Sequence, residues 1–105
     1  MTECSSQFDF VLDKIIAISK KEPKTILEKA IKLQEELGEL SEAILIQNRS
    51  SGSSYKNNKS QALESETVDI IIVALDIFFT LTEDKKLLLE LLEDKSKKWE
   101  ENQSK

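Results

Sequence analysis

Two acidic pairs, Glu36/Glu39 in EELGELSEAIL and Glu66/Asp69 in ESETVDIIIVALDIFF, share one spacing. In each pair the second residue follows the first by three, which on a helix sets both carboxylates on one face. Hard divalent cations take oxygen ligands. Four carboxylates from two antiparallel helices can therefore hold one or more Mg²⁺ ions and leave positions for water and phosphate oxygens. The chain has no histidine and one cysteine, Cys4, which excludes Ser/His/Asp and Cys/His catalysis, zinc fingers and intramolecular disulfides. Any metal must be held by oxygen.

The elements that would carry these acids are legible in the apolar spacing. Phe8, Leu12, Ile15, Ile16 and Ile18 predict a first helix over about 6–20, ended by the polar stretch before Pro23. A second helix is expected from Pro23 or Lys24 to Gln47, since Pro is accepted in a first turn and Ile26, Ala30, Leu33, Leu37, Leu40 and Ile44 recur at helical spacing. Residues 48–61, rich in Ser and Asn and containing Gly52, read as a mobile loop. A third helix over 62–81 holds a β-branched run, but its length and acidic spacing favour helix over strand. Thr82 is expected to N-cap a fourth helix over 83–101, with Leu87, Leu88, Leu91, Leu92 and Trp99 on its apolar side.

These four helices, with two Gly and one Pro in 105 residues, predict an all-α, four-helix bundle-like single domain over 1–105. Residues 1–5 are expected to be disordered and 102–105 to fray. A core drawn from 39% hydrophobic residues is modest, and self-association would extend it. The formal charge of −5 argues against nucleic-acid or anionic-membrane binding, which needs a basic surface. No stretch reaches the ~18 apolar residues of a membrane span and no basic-then-apolar leader opens the chain, so a cytoplasmic location is expected.

Solvation explains any single Glu in a Glu/Lys-rich helix; it explains the joint pattern poorly. On a helical wheel Glu36 and Glu39 fall at the margin of the Leu33–Leu37–Leu40–Ile44 stripe, while Glu35 and Glu42 fall on the far side. Asp69 and Asp76 interrupt an apolar run, Val68 to Leu81, where an unpaired carboxylate would cost several kcal/mol. Both need partners. Gly38, inside an otherwise good helix, costs about 1 kcal/mol against alanine and suggests close approach of a helix or a ligand.

The string EELGE (Glu35 to Glu39), followed after a spacer by ETVD (Glu66 to Asp69), resembles the E-E-x-x-E and E-x-x-D signature of the MazG-like all-α nucleoside triphosphate pyrophosphohydrolases. The surrounding KLQEELGELSEAI and DIIIVALDI are similar to the family's wording, and the likeness spans roughly residues 26–99. The resemblance implies a MazG-type four-helix fold assembled as a dimer or tetramer, and cleavage of a (d)NTP to the monophosphate and pyrophosphate. It also implies Mg²⁺, or Mn²⁺ in its place, on Glu36, Glu39, Glu66 and Asp69. Glu35 would orient or deprotonate water. Lys95, Lys98 and Trp99 in DKSKKWEEN fall where the family's last helix carries phosphate-contacting Lys and Arg near an aromatic, here with Lys in place of Arg. Asp76 matches an acid of some members and is a candidate substrate-binding residue, Val73 stands where an aromatic often follows the second motif, and Phe8, Phe10 and Trp99 are candidates to sandwich a base.

The role implied is nucleotide-pool sanitation or regulation. Two rivals stand beside it. One is a non-catalytic helical dimerisation module whose acids pair with a partner's lysines. The other is a related pyrophosphohydrolase acting on a different diphosphate-containing metabolite, such as a phosphoribosyl nucleotide.

Overall fold

A computed structural model describes residues 2–49 and 59–103. It is all-helical over those residues: α1 spans Thr2–Lys21, α2 Ile26–Arg49, α3 Lys59–Leu81 and α4 Lys85–Gln103. Most of the stretch expected as a loop, and Tyr55 with it, lies outside the described residues. Its margins, 48–49 and 59–61, are helical.

Local chemistry sets the helix starts, and at two of them it corrects the expected boundary. Thr25 and Glu28 form a capping box: Glu28 N–H donates to Thr25 Oγ1 at 3.1 Å, and Thr25 N–H donates to Glu28 Oε1 at 2.8 Å. α2 therefore begins at Ile26, and Pro23 stands outside it rather than in its first turn. At α4 the cap is Asp84, not Thr82, because Leu87 N–H donates to Asp84 Oδ1 at 3.1 Å. Thr82 instead accepts from Asp84 N–H at 3.3 Å, which shapes the turn before the helix. Caps of this kind contribute about 1 kcal/mol each.

α3 is the central element, with α1 and α2 both packed along it. Leu12 and Ile15 from α1, Phe79 from α3 and Leu88 from α4 form the buried centre, flanked by Ile16, Leu75 and Phe78. Phe78 and Phe79 meet edge to face, 5.2 Å between ring centroids at 86°, a geometry favoured by the ring quadrupoles. The core is small for the chain. The radius of gyration is 16.8 Å, against about 13 Å for a compact chain of this length.

Much of the predicted apolar stripe is uncovered. On α2, Leu33 and Leu40 are half-buried, but Leu37 and Ile44 are exposed. On α3, Val68, Ile71 and Ile72 are exposed, and on α4 only Leu88 is buried while Leu89, Leu92 and Trp99 are open. The apolar spacing marks these faces for burial, and α1–α3 alone do not supply enough neighbours to cover them.

α4 is held at its start. Lys85 Nζ donates to Asp9 Oδ1 at 2.6 Å and to Asp13 Oδ1 at 2.8 Å, and Lys20 pairs with Glu83 at 3.2 Å just before the helix. The hydrogen bonds to Asp13 and then Asp9 hold the Lys85 ammonium above the ordinary lysine value of 10.5, against a small opposing effect of desolvation. A group whose pKa is raised on folding contributes stability that is whole below its unfolded value and is lost as pH rises through its folded value. The α1–α4 tie should therefore persist through neutral pH and fail only above about pH 10.5. In a ¹³Cε titration the Lys85 midpoint should fall toward 10.5 in Asp13→Asn.

Candidate metal centre

The antiparallel packing of α2 on α3 brings one acid of the second motif to both acids of the first. Glu36, Glu39 and Glu66 can each offer one carboxylate oxygen such that the three lie within 4.8 Å of one another. Oxygens on opposite sides of a six-coordinate Mg²⁺ are about 4.2 Å apart, so modest side-chain movement would close the trio on such an ion. Glu36 is the more covered of the α2 pair, with 12% of its side chain exposed, while Glu39 is exposed.

Clusters of surface acids are common, and proximity by itself says little. Glu66 adds a different kind of observation. Its Oε1 is buried and has no hydrogen-bond partner, and it is the one such side-chain atom among the described residues. A buried acceptor without a donor costs about 1–3 kcal/mol, more when charged, and a bound ion or water is one way folded proteins satisfy such an atom. A divalent cation held by Glu36, Glu39 and Glu66 would satisfy it. The residues present fit that group by donor type, separation and the orphaned oxygen.

The cluster has one cation of its own. Lys32 Nζ lies 3.1 Å from Glu36 Oε2, one helical turn away on α2. The hydrogen bond and charge of Glu36, with the charges of Glu35 and Glu39, hold the Lys32 ammonium above the usual 10.5, opposed slightly by desolvation. One ammonium offsets part of the repulsion among three carboxylates but does not reach the Glu66 orphan.

Not every residue singled out by the motifs joins the trio. Asp69 is exposed on α3, among the uncovered Val68 and Ile72, and lies outside the group of three. Glu35 is exposed on α2; Lys95, Lys98 and Trp99 are exposed on α4, and Phe10 is 66% exposed on α1. Gly38 meets nothing among the described residues: a Cβ built there has no neighbour within 4 Å, so no close approach of the described chain explains it.

Asp76 is bound into a network of its own. It accepts from Lys29 Nζ at 3.0 Å and from Ser19 Oγ at 2.5 Å through Oδ1; Lys29 also donates to Thr80 Oγ1 at 2.8 Å. Lys29 is 3% exposed, and with Asp76 it forms the most buried ion pair among the described residues. Sequence reasoning marked Asp76 as needing a partner but missed Lys29. The signal was present, since Lys29 stands four residues before Leu33 and seven before Glu36, on the stripe that faces α3.

No protein-family model, no curated protein and no solved structure matches this chain. Among the described residues no helix is long and apolar enough to cross a membrane.

Filling the trio should be visible without turnover. Mg²⁺ or Mn²⁺ at about ten times its Kd would stabilise the fold by about 1.4 kcal/mol, or roughly 6–11 °C in Tm. EDTA should reverse the shift. Glu66→Gln should abolish it while leaving the helical circular dichroism intact.

Proposed function

We propose that this chain is a Mg²⁺-dependent nucleotide pyrophosphohydrolase that cleaves a (d)NTP to the (d)NMP and pyrophosphate, working as a homodimer or homotetramer. The observation that carries the reading is the unpartnered Glu66 Oε1 beside Glu36 and Glu39. The resemblance of EELGE and ETVD to the MazG-like signature supports it independently. A role in nucleotide-pool sanitation or regulation, in the cytoplasm, follows from that class.

Glu36, Glu39 and Glu66 would hold the ion, with Asp69, one turn along α3 from Glu66, as the fourth ligand. A bound Mg²⁺ supplies charge neutralisation for the triphosphate and makes water a stronger acid. Glu35 would orient the attacking water or accept its proton. The electron pair of the broken P–O bond leaves with one phosphate product, and the water oxygen stays on the other. Lys95 and Lys98 would contact phosphates as point charges, and Phe10 and Trp99 offer faces for a base. Asp76 is already engaged by Lys29 and Ser19, so any role toward substrate would run through that network.

The assembly part of the proposal rests on the uncovered faces. Val68 and Ile72 lie beside Asp69 on α3, so a second copy covering that face would enclose Asp69 as well. An apolar groove of about 520 Å³ opens between Phe8, the Ile70–Phe78 side of α3, and Leu88 and Leu92. Contiguous apolar surface of this kind marks an interaction site. The same observation favours the second reading, a helical dimerisation module without catalysis, and the two differ in what they need from metal.

A panel of canonical and modified (d)NTPs, with Mg²⁺ or EDTA and products separated by chromatography, tests the reaction. Monophosphate and pyrophosphate should form only with metal, and Glu39→Gln or Asp69→Asn should reduce turnover by at least 100-fold, the ~3 kcal/mol scale of losing one charge-stabilising group. Turnover that survives both variants removes the proposed cage. No turnover from folded protein across the panel favours the dimerisation module. Light scattering should give a mass of at least two chains under either reading.

A further inference from the structure

We propose that the buried Lys29–Asp76 pair is a register lock, a positioning device that sets α2 against α3 so that the acids of the two motifs meet. The lock rests on the cation-binding reading only for its functional consequence. The register itself is a property of the fold.

In an antiparallel helix pair, residues at the same level have numbers that add to a constant. Lys29 with Asp76 and Glu39 with Glu66 add to the same total, so ion pair and acid cluster belong to one register. They are ten residues apart along each helix, about 15 Å. Between them no apolar side chain is fully buried: Leu33 on α2 and Ile70 and Val73 on α3 are half-buried, and Leu37, Ile71 and Ile72 are exposed. Apolar ridges can slide by a turn at modest cost, because Leu and Ile faces repeat every three or four residues. A buried ammonium cannot slide. A slip of one turn toward Ile72 and Val73 would take Lys29, 3% exposed, from Asp76 Oδ1 at 3.0 Å and Thr80 Oγ1 at 2.8 Å to apolar neighbours, and a slip the other way would cost it the Asp76 carboxylate.

The surroundings of the pair oppose any alternative pairing. Asp76 Oδ1 also accepts from Ser19 of α1, whose hydroxyl lies 3.1 Å from the Asp76 carbonyl and 3.3 Å from Thr80 Oγ1. Three helices are thus fixed at one level by one polar knot. Buried ion pairs contribute little net stability compared with apolar replacements, and specifying register is their best-attested use. A one-turn slip, about 5.4 Å, would carry Glu66 out of reach of Glu39.

The test separates register from stability. In Lys29→Met/Asp76→Leu both charges are removed together, so no lone charge is left buried and the helical content and Tm should be kept or raised. Mn²⁺ affinity, read by electron paramagnetic resonance as the component lost in Glu66→Gln, should fall at least 10-fold. Spin labels at Glu42→Cys and Leu81→Cys, with Cys4→Ser and dilution by unlabelled chain, report the α2–α3 offset directly. The narrow distance distribution of the parent should broaden or shift by ~5 Å in the double variant. Thr80→Val, which removes one acceptor of Lys29 from an exposed position, should give a smaller affinity loss in the same direction, and it decides the matter if the double variant does not fold. Unchanged distance and unchanged Mn²⁺ affinity in the folded variants would overturn the lock. If the parent binds no Mn²⁺ at the trio, the cation reading fails and the distance distributions alone judge the register.

Discussion

A buried ammonium group depends on acceptors held in place around it, and Lys29 is that group here. With 3% exposure it depends on Asp76 and Thr80, which belong to α3, while Ser19 of α1 completes the same knot. The desolvation of two charges is large enough that the arrangement tolerates little displacement. Everything further along α2 and α3 inherits its level from this contact, including the carboxylates of Glu36, Glu39 and Glu66.

The apolar side of the fold is the opposite case. Leu12, Ile15, Phe79 and Leu88 are buried, and a longer set of Leu, Ile and Val side chains on the same helices is not. Packing energy is therefore concentrated where α1, α3 and the first turn of α4 converge, and it thins toward the acidic end of the α2–α3 pair. Polar specificity at one end and only half-covered apolar contact at the other leave the acid cluster with little packing to hold its like charges together, so their approach depends on the register set at Lys29 and on whatever cation neutralises them.

The helices and their order were legible in the sequence because an apolar face imposes a 3–4 spacing whatever its neighbours are. Boundaries were less so. Pro23 and Thr82 attracted the helix starts, whereas the hydrogen bonds of Thr25 with Glu28 and of Asp84 with Leu87 fix them two to three residues further on. The meeting of Glu36, Glu39 and Glu66 was readable from paired i, i+3 acids on consecutive antiparallel helices. Lys29 was not found, because lysine in a Lys-rich chain looks solvated unless its wheel position is checked against the stripe. Exposure of Leu37, Ile44 and Ile72 was also beyond the pattern, since periodicity states which face is apolar and not what covers it.

The attachment of α4 has a kinetic side. Its first turn is secured by Leu88, the Asp84 cap and the Lys85 clamp on Asp9 and Asp13, but from Leu89 to Gln103 every residue is exposed. Its backbone amides are thus shielded by helix geometry alone, and isolated helices of this length sit near the margin of stability in water. In a lone chain, deuterium would enter the α4 tail long before the Ser19–Lys29–Asp76 level, in a gradient running outward from residue 88. Whatever seats that tail would erase the gradient, so amide exchange along α4 is a local gauge of how much of the chain is assembled at a given concentration.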